Sequence, residues 1–418
     1  MIERSDENRV VITGMGIISP LGNTVSQFWE SLIAGKSGID YISTFDTENF
    51  PTKIAGEARE FHPEDYLTAK QIRRQDRFSQ LATAAAQDAM KNADLDLDNE
   101  DKSRIAVVIG NGNGGFGLTA EQTLILQERG WSKVSPTFIP RILPNMASAN
   151  VAIEFELQGY NSTVVTACAA GTQAIGDAAE VIRSGRAEIA VTGGTEAGIS
   201  PIGLAGFCAM RALSTSNDNP QTASRPFDLN RDGFVPGEGA GILILERLDR
   251  AKARGAPILA EVLGSGASSD ARDLVQPDSE GAGAAQVIEW TLQDARIQAK
   301  DVDYINAHGT STQLNDASET QAIKRAFGDI ASSIPISSTK SMIGHGLGAA
   351  GGMEAVVAVQ SIQTNTIHPT TNYENPDPAC DLDYVPGEAR SVSVHHVLSN
   401  SFGFGGQNAC VLFGAVDH

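Results

Sequence analysis

The chain is punctuated by short apolar runs that stop at glycine or at a polar turn. Residues 10–16, 104–110, 163–166, 188–194, 241–246, 259–264, 302–308 and 393–399 are such runs. Most are continuous rather than alternating, which predicts strands buried on both faces. Between them, residues 28–34, 79–92, 284–295 and 351–362 have helical spacing, as does the Ala-rich stretch after Cys168. Strands alternating with helices predict an α/β protein with helices on both sides of its sheets. A charged stretch at 247–255 divides two similar strand–turn–helix series. The expected organisation is an N-terminal half, 1–255, and a C-terminal half, 256–418, related by duplication. No low-complexity linker separates them, so close packing is expected.

Composition sharpens this picture. At 418 residues the chain exceeds one ordinary core. A net charge of −20 argues against nucleic acid as the main partner, because neutralising phosphates needs clustered Lys and Arg. An acidic protein partner would need a local basic patch. Cys168, Cys208, Cys380 and Cys410 are too scattered for a disulfide framework or a zinc motif. The first residues lack a signal-peptide apolar core, and no apolar run approaches a membrane span. The expectation is a cytosolic protein with neither metal nor membrane contact.

Candidate chemistry centres on Cys168, at a strand-to-helix turn. Helix N-terminal amides there favour a thiolate and can cradle an oxyanion. A buried structural cysteine fits the same window. His308, in Ala307-His308-Gly309-Thr310-Ser311-Thr312, and His345, in Lys340-Ser341-Met342-Ile343-Gly344-His345, stand at glycine-rich strand ends. His62, His368, His395, His396 and His418 lack such a setting and read as structural or solvated. Residues 110–115 fit GxGxxG, but no strand ending in an acid follows at the right distance, so a close backbone approach is expected instead of a nucleotide. The charged loop from Arg225 to Gly239 reads as a salt-bridged structural element.

Taken together, Thr-Ala-Cys168-Ala-Ala-Gly, Ala-His308-Gly-Thr-Ser-Thr, Lys340-Ser-x-x-Gly-His345 and Gly403-Phe404-Gly405-Gly406 resemble the elongating β-ketoacyl-acyl carrier protein synthases of the thiolase superfamily. The type II enzymes of dissociated fatty acid synthesis are the nearest match, and the resemblance runs from Val10 to about Phe413. It implies a thiolase-like fold of two mixed five-stranded sheets in five αβαβα layers, and a homodimer. It implies that Cys168 takes an acyl group, that His308 and His345 stabilise the enolate left by malonyl decarboxylation, and that the amides of Cys168 and Phe404 form an oxyanion hole. Lys340 is expected to act through the histidines. Glu354 matches a carboxylate anchoring that network, with a helix-surface glutamate as the alternative; Glu319 is a second candidate of this kind.

The resemblance further implies that Thr310 and Thr312 hydrogen-bond a phosphopantetheine arm, that Phe402 and Phe404 gate the acyl pocket, with simple core packing as the alternative, and that Gly403 is a substrate-binding residue. The arm belongs to an acyl carrier protein, so no cofactor of the enzyme's own is implied. Lys70, Arg73 and Arg74, expected on one helical face with Arg77, and Arg211 are the implied carrier-docking residues. Asn113 stands where the family often has a bulky apolar residue, and is expected to influence the acyl group accepted unless its side chain bonds within its own turn. Ile343 and Gln407 replace common threonines. Three other activities share parts of this pattern: a polyketide or polyene ketosynthase, a non-decarboxylating thiolase, and a non-catalytic chain-length partner. A thiolase typically adds a second catalytic cysteine, and a non-catalytic partner needs neither Cys168 nor the histidines.

Overall fold

The structure, a computed structural model, describes residues 5–416. Ten strands form its main sheet: β1 (Val10–Ile18), β2 (Ile105–Gly110), β3 (Asn161–Val164), β4 (Ile189–Glu196), β5 (Gly239–Arg247), β6 (Ala260–Ser269), β7 (Tyr304–Asn306), β8 (Ile336–Ser337), β9 (His396–Gly403) and β10 (Gln407–Gly414). Their order is β8-β7-β9-β10-β6-β1-β5-β4-β2-β3. Read outward from the centre, the halves run β1-β5-β4-β2-β3 and β6-β10-β9-β7-β8. Pairing is antiparallel, antiparallel, parallel, parallel in both. A short antiparallel contact, Val11 with Glu261 and Ile12 with Ala260, joins the two five-stranded units edge to edge. The duplication expected from the two strand–turn–helix series is therefore present in the topology.

Helices make the remaining layers. On the N-terminal unit's outer face lies α1 (Arg77–Asn92), and on the C-terminal unit's outer face lies α3 (Ala282–Ala295). Between the units lie α2 (Ala170–Arg183) and α4 (Ala350–Thr364), which pack on each other and on strands of both units. The strand patterns explain this layering. In β5, Leu243 and Leu245 enter the central core with α2 and α4, while Ile242 and Ile244 enter the outer core with α1. A continuous apolar run is what a two-sided strand requires. The third core, around Val287, Ile288, Ile305, Leu398 and Leu412, closes the C-terminal face.

Small residues let the central layer approach the site. A Cβ on Gly171 would lie 2.8 Å from the Gly352 amide, and one on Gly351 would lie 2.1 Å from Thr172 Oγ1. The Ala- and Gly-rich start of α2 thus reflects direct contact with the start of α4.

Several expectations need correction. The strand before Cys168 is not a buried one: Asn161–Val164 is half exposed because it is outermost in the sheet, and Val165 beyond it is 52% exposed. The last apolar run begins later than expected, at His396, because the amides of Val394 and His395 bond the side chains of Asn365 and Asp303 instead of a neighbouring strand. Its partner β10 has no counterpart in the expected series. Arg77 does not share a face with Lys70, Arg73 and Arg74. Those three are exposed on the six-residue helix Ala69–Arg74, whereas Arg77 starts α1 and is tied to Glu238 at 2.7 and 2.8 Å.

Candidate active site

Cys168 sits in a short 3-10 turn, Ala167–Ala169, leading directly into α2. Ala167 has φ +50°, a left-handed conformation that turns the chain sharply and presents the next residue. Gly403 makes room for this elbow, since a Cβ there would lie 2.7 Å from Thr166 O. Gly405 and Gly406, both at positive φ, complete the turn that joins β9 to β10 and aims Phe404 at the same place.

Cys168, His308 and His345 meet on one wall of a cavity of about 470 Å³. His345 Nε2 lies 3.0 Å from Cys168 Sγ, and the two imidazoles stack edge to face with centroids 5.2 Å apart. Leu347 N–H donates to His345 Nδ1 at 3.3 Å, so that nitrogen is the acceptor and Nε2 carries the proton toward sulfur. One nitrogen of each imidazole and the sulfur lie within 4.8 Å of one another, a spacing a soft cation would fit. With Nε2 protonated, however, His345 offers a donor there and no lone pair for a metal.

Electrostatics agree with a donor site. Burial drives both imidazoles well below 6.5, and the charge of Lys340 adds to it, so they are neutral at physiological pH. Burial pushes the Cys168 thiol up to about 12; Lys340 opposes this, Glu196 reinforces it, and the amides of Phe404 and Cys168, hydrogen-bonding the sulfur, oppose it. This overturns the expected resting thiolate: a helix start lowers a thiol only where burial does not outweigh it. The two amides converge on the Cys168 sulfur.

A buried polar frame supports the imidazoles. Lys340 is 1% exposed, does not line the cavity and ion-pairs with Glu354, itself buried on α4. Glu354 is thus no surface residue; burial raises its carboxyl and Lys340 opposes the rise. Glu319, on the helix Gln313–Phe327, accepts the N–H groups of His308 and Gly309 at 2.8 Å each and fixes the strand-end loop.

Among the other expected residues, Thr310, Thr312, Phe402, Gly403, Phe404 and Arg211 line the cavity. Thr310 and Thr312 share a 2.9 Å hydroxyl contact, and the Phe402 ring lies 5.7 Å from that of His308. Cys208, Cys380 and Cys410 do not line the cavity. Asn113 is also absent from the cavity wall. Its Nδ2 is buried without a hydrogen-bond partner, so the side chain does not bond within its own turn as one expectation had it; Asn111 does, through Oδ1 accepting Gly114 N–H at 2.8 Å. His368 is buried in a network with Ser337 and Thr339, as a structural histidine. His418 lies outside the described residues. The Arg225–Gly239 loop is structural at its salt-bridged end, where Arg231 is buried against Asp377 at 2.6 Å and Asp228 caps three backbone amides. Beyond it, Asp232, Gly233 and Phe234 line the cavity, and the Phe234 ring lies 5.4 Å from that of His345, which the purely structural reading did not anticipate.

Sequence reasoning missed Glu196 and Asn111. Glu196 ends β4 as the sole charged residue of an otherwise neutral strand, fully buried, which was the available signal.

The beta-ketoacyl synthase N-terminal domain family matches residues 7–251, and the beta-ketoacyl synthase C-terminal domain family matches 259–374. The chain is 48% identical to the 3-oxoacyl-[acyl-carrier-protein] synthase 2 of Synechocystis sp. over 98% of both chains. It is 48% identical to that of Coxiella burnetii over 98% of this chain and 99% of the other. A solved beta-ketoacyl synthase from Burkholderia phymatum is 37% identical with a TM-score of 0.91, covering 98% of this chain and all of its own. A ketosynthase structure described as a type II PKS acyl-carrier protein in complex with its ketosynthase bound to the hexaketide is 36% identical with a TM-score of 0.89, covering 98% and 99%. The thiolase-like fold, the elbow cysteine and the paired histidines thus sit in a chain that belongs to the β-ketoacyl synthase family.

Proposed function

We propose that this chain catalyses the decarboxylative condensation of an acyl group with malonyl-acyl carrier protein, giving 3-oxoacyl-acyl carrier protein in fatty acid chain elongation. One observation carries the reading: a cavity cysteine flanked by two neutral imidazoles, with Nε2–H of His345 aimed at its sulfur. In the first half-reaction Cys168 Sγ attacks the acyl thioester carbonyl, the carbon–sulfur bond to the carrier's arm breaks, and the thiol proton leaves on the departing arm. The amides of Cys168 and Phe404 hold the oxyanion. In the second, the malonyl carboxylate leaves as carbon dioxide and the electron pair forms an enolate. His308 and His345 stabilise that oxyanion as neutral donors. The enolate carbon attacks the acyl carbonyl, the bond to Sγ breaks, and Sγ leaves as a thiolate that takes its proton from water.

The carrier protein, docking at Lys70, Arg73, Arg74 and Arg211, supplies the phosphopantetheine arm, with Thr310 and Thr312 along its path. No other cofactor is assigned. The halves 1–255 and 256–418 contribute nucleophile and histidines respectively. A homodimer is supported by exposed apolar side chains on Phe116–Arg129 and segments packed against it, among them Leu124, Trp131, Ile139 and Ile202, and by β3 standing at an open edge of the sheet. Among the described residues no helix is long and apolar enough to cross a membrane; a cytoplasmic location fits this reading.

Curated relatives named for 3-oxoacyl synthesis, at 48% identity, favour this pathway over the polyketide ketosynthase, at 36%. The cavity has no second cysteine on its wall, which favours decarboxylative condensation over a thiolase. The test supplies acyl and malonyl carrier proteins and measures carbon dioxide release and product mass. A 3-oxoacyl carrier two carbons longer is expected; carbon–carbon bond formation from acetyl thioesters without carbon dioxide would overturn the reading.

A further inference from the structure

Glu196 is a buried carboxylate held by amides. Its Oε2 accepts Gly112 N–H at 2.9 Å and Gly348 N–H at 3.3 Å; its Oε1 accepts Asn113 N–H and Asn111 Nδ2, both at 3.3 Å. These donors come from the loop after β2 and from the turn Leu347–Ala349 before α4. That turn is the C-terminal counterpart of the Cys168 elbow. Each is a three-residue 3-10 turn whose first residue has positive φ, +50° at Ala167 and +49° at Leu347, and each leads into a central helix. Gly348 therefore occupies the position of Cys168, and its amide corresponds to the Cys168 amide.

The carboxylate of Glu196 lies on that amide where a reacting oxyanion would lie on the first elbow. The fit excludes other side chains: a Cβ on Gly348 would lie 2.5 Å from Gly112 N and 2.9 Å from Glu196 Oε2. Leu347 precedes Gly348, and its N–H sets the proton of His345 on Nε2. We propose that Glu196 is a positioning residue, which clamps Gly348 to the loop after β2 and so keeps Leu347 N–H on Nδ1 and the Nε2 proton of His345 on Cys168. The proposal rests on the condensing-enzyme reading and adds to it the residue that sets the donor.

Glutamine at this position would turn an amide NH₂ toward two N–H donors. Burial raises the Glu196 carboxyl to about 7, opposed by the amides that hold it; above that pH glutamine would also remove a negative charge that reinforces the effect of burial on the thiol. The other groups facing that thiol, Lys340, His308 and His345, would keep their charge states. Two effects of opposite sign follow. Glu196→Gln should lower the condensation kcat by roughly 10- to 100-fold through loss of orientation, with KM for the acyl carrier near the parental value. Alkylation of Cys168 by iodoacetamide should move to lower pH. In ¹⁵N-histidine NMR, the parent should show His345 protonated at Nε2, and the variant should lose that single tautomer. Parental kcat with an unmoved alkylation profile overturns the proposal, as does an equal fall in alkylation and condensation without a tautomer change. If Glu196→Gln does not fold, Glu196→Asp and the parental spectrum still decide, because a parent protonated at Nδ1 refutes the clamp by itself. A parent that does not condense carrier substrates would instead refute the reading of function, leaving the NMR arm to judge Glu196.

Discussion

The two elbows of this molecule have nearly the same backbone and opposite contents. At the first, Cys168 opens onto a cavity and two backbone amides face its sulfur. At the second, Gly348 is packed against Gly112 and its amide already bonds a carboxylate. Strand order and pairing are the same in both halves, so the difference does not lie in topology. A sharp turn before a helix gathers N–H groups and attracts negative charge wherever it occurs. The chain has that feature twice and leaves only one open to the cavity. Residues Cys168, Gly348 and Glu196, and not the duplicated frame, therefore decide which elbow carries the nucleophile.

Removing the reactive side of this comparison should have the largest effect. Cys168→Ala should abolish acyl transfer and condensation, since no other cysteine lines the cavity. Some malonyl decarboxylation should persist, because the histidines are a separate group. Intact-mass analysis should find the acyl adduct on Cys168 of the parent. An adduct on Cys208, Cys380 or Cys410 would break the comparison at its root.

Next come the donors brought in from the C-terminal half. His308→Ala and His345→Ala should each reduce condensation by ~100- to 1,000-fold while Cys168 still accepts an acyl group. Near-parental condensation in either variant would make that imidazole structural. Both imidazoles sit well below 6.5, so they stay neutral as pH falls through that value. Condensation should then be level from about pH 7.5 to 6.5 as far as the histidines are concerned. Burial raises the carboxyls of Glu196 and Glu319 to about 7, so a fall in rate there reports those groups. The imidazoles are read separately by ¹⁵N NMR, and protonation of either ring with a midpoint near 6.5 would mean that the donor assignment is wrong.

Much of this asymmetry was legible in the chain, and most of what escaped did so for identifiable reasons. Apolar runs located eight of the ten strands, although the run at 163–166 overlaps β3 by only two residues and is not buried. Strand β10 was overlooked although Ala409-Cys410-Val411-Leu412-Phe413 is itself a continuous apolar run ending at a glycine. Residues 336–337, in β8, are too few to show a pattern. Cys168 and the histidines were legible as motifs with glycine neighbours. Glu196 was not, because its role depends on an amide 152 residues away. The thiol's resting state was misread for a related reason. A helix start is visible in sequence, whereas the burial that outweighs it comes from the packed halves.

The smallest effect belongs to the outer surface, where the halves also differ. In the N-terminal half the segment before α1 carries Lys70, Arg73 and Arg74, all exposed. Before α3, the corresponding stretch carries Asp270, Asp273, Asp278 and Glu280 against Arg272 alone. The basic segment is also well anchored. Thr68 and Gln71 form a capping box, and Gln71 reaches Glu154, so the three cations project from a fixed helix. An acidic carrier approaching a chain of net charge −20 should be steered to this side. Reversing Lys70, Arg73 or Arg74 to glutamate should raise the apparent KM for carrier-bound substrate by roughly two- to five-fold, the range of a surface ion pair. Turnover should change little, because these groups act before chemistry. Added salt should shrink the difference between parent and variant, since exposed charges are screened over ~10 Å at 0.1 M. A free pantetheine thioester should show neither dependence. Equal sensitivity with that substrate would mean that the basic helix supports the fold and does not receive the carrier.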